Sequence, residues 1–373
     1  MTEQSGSAQW GSAQWRAQAV AWLDRELAAA GIARVGEVTQ PHLRPWATVL
    51  TAPTSRGPVW LKAAGPGTAF EVRLYEILRR EAPDRVLHPI AVDVERGWIV
   101  LPDGGPPVGE RPAGPDLVDT LATVLRQYGQ LQRELVPAVS ELLAAGVTDM
   151  RATVMPERFD QALDAVAADV ARHGDPVERA RFGRLPGFRS TYAGWCRRLA
   201  GSPVPASLDH NDLHAWNMLV TGQGAAAQGR FYDWGDSVVA HPFASMLIGL
   251  GFLQFHLGAA AGGPELARLR DAYLDAFDDL GPRPELVDTL QLACRVAKVA
   301  RALTWHRALA ELRGDGAGEQ ARLAGDGAGE RARLAGDGAG EQARLAGDGA
   351  GEFAGNPLRC LVSLLAESYL GAP

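Results

Sequence analysis

Two short polar clusters joined by a hairpin signal constrain this chain more than anything else in its 373 residues. The first runs Ser207-Leu208-Asp209-His210-Asn211-Asp212-Leu213-His214-Ala215-Trp216-Asn217. The second runs Tyr232-Asp233-Trp234-Gly235-Asp236, which sets Asp233 sixteen residues after Asn217. Between them, the apolar runs Met218 to Thr221 and Arg230 to Tyr232 are divided by Gly222 to Gly229. Strand-like runs around a glycine-containing turn predict a hairpin, which returns Asn217 and Asp233 to the same end. In the plainest reading His210, Asp212 and His214 form an ordinary polar turn, with Trp216, Leu219, Phe231 and Trp234 as core. A second makes His210-x-Asp212-x-His214 a metal cluster in a hydrolase, since imidazole and carboxylate ligands suit zinc. Both leave Asn217 and Asp233-Trp234-Gly235 without a role.

A third reading uses every one of these residues. The spacing from His210 through Asp212 to Asn217 resembles a kinase catalytic loop, and Asp233-Trp234-Gly235 stands where kinases carry Asp-Phe-Gly. Phosphoryl transfer passes through a loose transition state, so such an enzyme mainly positions its reactants and neutralises charge with Mg2+. Asp212 then orients the acceptor hydroxyl and takes up its proton, a role worth about 10²–10⁴ in rate. Asn217 and Asp233 become the metal ligands, because Mg2+ prefers hard oxygens shared among carboxylates, phosphates and water.

A kinase also needs a cation for the phosphates, and lysine usage points to one. Of 37 basic residues only Lys62 and Lys298 are lysine. Lys62 ends the strand-like run Val59-Trp60-Leu61-Lys62, whose form resembles the Val-Ala-Ile-Lys of kinases. A compact ammonium against phosphate differs from a planar guanidinium fork, so arginine is no equivalent there. In isolation, a lysine snorkelling from a strand edge fits as well.

Earlier, a doubled pentapeptide, Gly6 to Trp15, precedes a helical pattern carrying Ala19, Trp22, Leu23 and Leu27 and ended by Gly31. Strands are predicted over 35–38, 46–52, 59–63, 86–94 and 98–101, with a helix over 69–81. Glu71 on that helix is the candidate carboxylate for pairing with Lys62, with Glu76 as the fallback. Leu101 to Gly105, including Asp103, would form the hinge on which adenine sits. The segment Gln40 to Thr48, where a glycine-rich phosphate loop belongs, contains no glycine. Another turn must cover the phosphates, with backbone NH groups near Arg44 to Ala47 as candidates.

From Asp116 the pattern turns helical, over 117–135, 137–145, 156–173 and 188–200, then 264–279, 284–312 and 356–370. The apolar run Phe243 to Ala261 contains Gln254, His256 and three glycines, so a buried helix is expected and not a membrane span. An eleven-residue repeat, Gly-Asp-Gly-Ala-Gly-Glu-Gln-Ala-Arg-Leu-Ala, starts at Gly314 and recurs at Gly325, Gly336 and in part Gly347. Three glycines per repeat cost about 1 kcal/mol each in a helix interior, so a flexible, dispensable expansion is expected. The repeat region 314–357 carries net charge −4 of the chain's −7, so the acidic total says little about a cationic substrate. No basic patch invites nucleic acid. Three scattered cysteines, Cys196, Cys294 and Cys360, point to free thiols in a reducing compartment. With no secretory signal at the start, a cytoplasmic protein is expected.

At the catalytic stretch the chain resembles the aminoglycoside phosphotransferase family, specifically at Lys62, at His210 to Asn217 and at Tyr232 to Asp236. The resemblance implies an α+β, protein-kinase-like bilobal fold: a small N-lobe of antiparallel sheet plus helix, and a larger, mainly helical C-lobe. Residues 1–33 would form an N-terminal extension, 34–103 the nucleotide-binding N-lobe, and 104–373 the C-lobe with the repeat inserted. It further implies ATP or GTP as donor, Mg2+, and a small-molecule hydroxyl, of an antibiotic or a metabolite, as acceptor. By position Asp212 resembles the catalytic aspartate, Asn217 and Asp233 the metal ligands and Lys62 the phosphate-binding lysine, while His210 braces the loop. Asp236 is a candidate for metal or acceptor contact, or equally a helix cap. The family continues Gly-Asp-Pro and Asp-Leu-Ala where this chain has His241-Pro242 and Ser245-Met246, which puts the loop's support in question. The alternatives left open are a catalytically silent nucleotide-binding relative and the metal-dependent hydrolase.

Overall fold

Alternate residues of a strand face opposite sides of a sheet, and that period organises the first part of the chain. In the computed structural model, which describes residues 10–44, 46–310 and 355–370, helix α1 (Ala13–Ala29) is followed by strands β1 (Thr39–Leu43), β2 (Ala47–Thr54) and β3 (Gly57–Ala64). Strands β4 (Ala91–Asp93) and β5 (Trp98–Pro102) complete an antiparallel sheet in the order β1-β2-β3-β5-β4. Leu50 and Ala52 of β2, and Val59, Leu61 and Ala63 of β3, are buried in one core with Trp15, Ala19, Trp22, Leu23 and Leu27 of α1. Trp98 is met edge-on by Trp15 and Trp22 at 5.9 and 5.4 Å. Lys62, between Leu61 and Ala63, therefore points to the other face.

Two strand expectations need correction. Residues 35–38 make no strand; β1 lies at Thr39–Leu43, just ahead of the turn at Arg44 to Ala47. It is an edge strand, almost wholly exposed and carrying Pro41, so it shows no apolar alternation to read. The predicted strand 86–94 shrinks to β4, because Pro89 interrupts it.

The chain divides into two compact units. One takes Met1–Val72, His88–Asp103 and Trp305–Asn356, and so includes the first turn of α2 (Phe70–Glu81). The other takes Arg73–Leu87, Gly104–Thr304 and Pro357–Pro373. The second unit is mainly helical: α3 (Pro115–Glu134), α4 (Val139–Ala144), α5 (Met155–His173), α6 (Pro176–Phe182), α7 (Arg189–Ala200), α8 (Met246–His256), α9 (Pro264–Leu274), α10 (Arg283–Ala308, to Thr304) and α11 (Asn356–Val362). Helix α6 was not anticipated, although the Asp175/Glu178 capping box that starts it is a readable signature. The apolar run ends as a helix at His256, ahead of Gly258 in the left-handed region at φ +61°. No helix among the described residues is long and apolar enough to cross a membrane.

Short strands interrupt these helices. Strand β10 (Val238–Ala240) pairs in parallel with β6 (Thr148–Asp149) and antiparallel with β7 (Ser207–Asp209). Strands β8 (Met218–Thr221) and β9 (Gln228–Phe231) form the predicted hairpin, Met218 opposite Phe231. The α+β class is thus observed, with an antiparallel sheet in one unit and mostly helix in the other. The eleven-residue repeat lies outside the described residues.

Candidate active site

In the first unit, the period of β3 turns Lys62 towards α2, whose first turn carries Glu71. Lys62 Nζ and Glu71 Oε2 are 2.6 Å apart, and the Glu71 side chain is 2% exposed. Position in the first turn also suits a carboxylate, because the unpaired NH groups there carry partial positive charge. Leu101 is buried near the end of β5, and the Asp103 amide donates to the Pro58 carbonyl at 3.2 Å. The β1–β2 turn is closed by the Arg44 amide donating to the Ala47 carbonyl at 2.9 Å, so that amide is already engaged. The Trp46 ring packs edge-on against Trp305 at 6.2 Å.

In the second unit, β7 delivers His210, Asn211 and Asp212 to a loop braced from below. The Tyr128 hydroxyl, on α3, accepts from the His210 amide at 3.2 Å and lies 2.8 Å from Ser245 Oγ. Ser245 Oγ donates to Asp209 Oδ1 at 2.6 Å, and that oxygen also accepts the Asn211 amide at 2.8 Å. Gln132 Nε2 donates to the Leu208 and Pro242 carbonyls at 2.8 and 3.0 Å. Ser245, at the position where the sequence departs from Asp-Leu-Ala, is thus part of the loop's support. Burial pushes the Asp209 carboxyl up to about 6. Helix α3 also fixes the hairpin: Gln127 Nε2 donates to the Ala227 carbonyl and its Oε1 accepts the Gly229 amide, each at 2.8 Å. A Cβ on Gly229 would fall 2.8 Å from Val124, so β9 can lie against α3 only without one.

The two motif ends are tied together. His210 Nε2 donates to the Tyr232 carbonyl at 2.9 Å and its ring packs on Trp234 at 4.6 Å, so His210 braces the loop from within. The Tyr232 hydroxyl donates to the Trp216 carbonyl at 2.8 Å. Among the described residues only Asn211 (φ +58°) and Asp233 (φ +62°) are non-glycine residues with positive φ. Left-handed backbone at non-glycine positions is costly and collects at functional sites.

Around Asp212 the charges are closely arranged. Its Oδ1 accepts Arg301 Nη2 at 2.7 Å, and its Oδ2 lies 3.4 Å from His214 Nε2. Burial alone would raise its pKa, but the Arg301 guanidinium and the nearby histidines hold it well below the usual carboxylate range. Burial opposes charge on His214, yet the neighbouring Asp212 carboxylate prevails and raises that histidine. Asp236 ends the short 3-10 helix Trp234–Asp236; its Oδ2 accepts Arg301 Nη1 at 2.7 Å, and its carbonyl accepts Asn211 Nδ2 at 3.3 Å. Arg301 was not foreseen. It is an ordinary-looking arginine on a distant helix, and nothing in the sequence marks it.

The donors fit a hard cation better than zinc. Asn217 Nδ2 donates to the Asp212 carbonyl at 2.9 Å, so the amide's Oδ1 is the atom available for a metal. Asn217 and Asp233 offer oxygens that suit Mg2+ completed by phosphate and water. No group of three or more His, Cys, Asp or Glu among the described residues could hold a metal. In the hydrolase alternative His210 would be a ligand; its Nε2 is engaged with the Tyr232 carbonyl, which leaves only the buried Nδ1 for that role.

Comparison with known proteins follows the same line. The model of the APH phosphotransferase enzyme family matches residues 54–286. Among solved structures, the chain is similar to the amicoumacin kinase hAmiN in complex with AMP-PNP, Ca2+ and Ami, with 13% identity and TM-score 0.51, covering 83% of this chain and 93% of that one. It is also similar to the ethanolamine kinase of Plasmodium vivax, with 14% identity and TM-score 0.50, covering 74% of this chain and 76% of that one. At such identities the likeness is one of fold, and that fold is kinase-like. No curated protein matches the sequence.

Proposed function

Because this chain belongs to the APH phosphotransferase enzyme family, we propose that it moves the terminal phosphoryl group of ATP to a hydroxyl of a small molecule in the cytoplasm, with an antibiotic as the first acceptor class to test. The amicoumacin kinase likeness supports that order of testing. The observation that carries the reading is the fixed Asp212: one carboxylate oxygen is held by Arg301, and the Asn217 amide is turned by its bond to the Asp212 carbonyl. Free Cys196, Cys294 and Cys360 agree with a reducing compartment.

In this mechanism Asp212 accepts a hydrogen bond from the acceptor hydroxyl and points its oxygen at the γ-phosphorus. The new O–P bond forms as the bond between the γ-phosphorus and the bridging oxygen breaks, ADP leaves with that electron pair, and the acceptor proton passes to Asp212. The loose transition state favours a late proton transfer, after most of the bond to the leaving group is gone. Lys62, held by Glu71, balances phosphate charge with a compact ammonium. Asn217 and Asp233 would hold Mg2+, which when bound neutralises charge on the transferring phosphate. Leu101 and Asp103 line the adenine hinge.

The test is ADP release from MgATP over a panel of amicoumacin-type and other antibiotics, amino alcohols and sugars, with Asp212→Asn as the blank. The expected outcome is at least one acceptor that raises ADP release in the wild type and not in the variant, while AMP-PNP still binds both. Equal turnover by Asp212→Asn and wild type would overturn the assignment.

A further inference from the structure

Arg301 reaches three parts of the catalytic stretch at once. Nη2 donates to Asp212 Oδ1 at 2.7 Å, while Nη1 donates to Asp236 Oδ2 at 2.7 Å and to the Asn211 carbonyl at 2.9 Å. These acceptors come from the loop after β7 and from the turn after β9, which no covalent link shorter than the whole hairpin joins. The side chain itself is 10% exposed. A planar fork holds two carboxylates and a carbonyl in set directions, which a single ammonium cannot do.

The helix that presents it is itself fixed. One turn earlier on α10, Lys298 Nζ donates to the Ser363 and Ser368 carbonyls at 2.9 Å each. Arg295, a further turn back, donates to the Glu367 carbonyl at 2.5 Å. Three basic residues at helical spacing thus run from the C-terminal segment to Asp212, which gives the chain's second lysine a place. Neighbouring Asn211, in left-handed backbone, is held by the same helix through its Nδ2 bond to Thr304 Oγ1 at 2.8 Å.

We propose that Arg301 is a positioning residue of the phosphoryl transfer: it binds Asp212 Oδ1 and Asp236 together so that Asp212 Oδ2 is the oxygen presented to the acceptor hydroxyl. The inference rests on the function proposed above and adds to it a residue outside both motifs. Arg301 touches no reacting atom; it sets the direction of the one that does. Without the fork the Asp212 carboxylate keeps only the longer contacts of Oδ2 with His214 Nε2 at 3.4 Å and Asn217 Nδ2 at 3.5 Å, so it can turn. Displacing a catalytic group by about 1 Å costs about a hundredfold in rate.

The experiment compares wild type, Arg301→Ala, Arg301→Lys and Asp212→Asn in ADP release from MgATP, with water and with any acceptor the panel yields. AMP-PNP binding reports whether each variant is folded. Arg301→Ala is expected to bind AMP-PNP with unchanged affinity, to lose about a hundredfold in kcat with little change in the KM for ATP, and to recover most of that loss in millimolar guanidinium. Guanidinium should do nothing for Asp212→Asn. Arg301→Lys, which keeps the charge and loses the fork, should bind AMP-PNP and stay impaired; it carries the test if the alanine variant does not fold. Wild-type kcat in folded Arg301→Ala or Arg301→Lys, or loss of kcat in Arg301→Ala without guanidinium rescue, would overturn the positioning role alone. A wild type that releases no ADP under any condition would remove the proposed function and this inference with it.

Discussion

Ser245 Oγ donates to Asp209 Oδ1 at 2.6 Å, with both residues fully buried under the loop that carries Asp212. The pair is the centre of the network that supports the catalytic stretch. Ser245→Ala removes a donor from a sealed carboxylate, an effect of about 1–3 kcal/mol. Urea denaturation at neutral pH should show a lower midpoint by that amount, and an unchanged midpoint would show that the bond contributes nothing.

Asp209 also sets a pH dependence. Its carboxyl is pushed by burial to about 6 from an ordinary 3.8, so the folded chain holds that proton more tightly than the unfolded chain. The raised value means that the Asp209 contribution to stability is fully present below about pH 4 and is lost as pH rises through about 6. Asp209→Asn keeps an acceptor and removes the titration. Its stability relative to wild type should rise by on the order of 2–3 kcal/mol from pH 4 to pH 6.5, then level off. A difference that stays constant over that range would refute the assignment.

His241 acts in the opposite direction. Burial lowers it to about 3 from 6.5, so the unfolded chain binds a proton that the native chain refuses. Its contribution is intact above about pH 6.5 and is lost progressively as pH falls towards 3. His241→Gln should therefore lose less stability than wild type between pH 7 and pH 4.5, as thermal melts at the two pH values would reveal.

Lys62 and Glu71 form a nearly buried ion pair at 2.6 Å. Breaking such a pair by removing one member typically costs 3–5 kcal/mol, whereas replacing both with apolar residues is often neutral. Lys62→Met should lower the melting temperature, and Lys62→Met with Glu71→Leu should largely restore it. Neither variant should regain ATP turnover, because the ammonium is absent in both. Turnover by the restored double variant would show that Lys62 has a structural part only.

Trp22 meets Trp98 edge-on at 5.4 Å in the core between α1 and the sheet. Trp22→Ala should cost about 3–5 kcal/mol, because the surrounding strands cannot close over so large a void. Loss below about 1 kcal/mol, measured by urea denaturation, would mean that α1 is a dispensable extension to that sheet.

What the sequence determined by itself is local. The hairpin between Asn217 and Asp233, the helices with clear apolar periods and the strand that carries Lys62 follow from side-chain spacing, because a period of two or of three to four fixes which face is buried. The pairing of Lys62 with Glu71 was within reach for the same reason, as each lies at a predictable phase of its own element. Residues whose importance comes from long-range contact left no such trace. Arg301 meets Asp212 across 89 residues, and Ser245 meets Asp209 across 36. The edge strand β1 carries no alternation because neither of its faces is buried. Periodicity reports burial against something, whereas it does not report against what. The partner of a buried charge is chosen by how α3, α10 and the short strands pack, and only the tertiary structure decided that Asp212 would be held by an arginine.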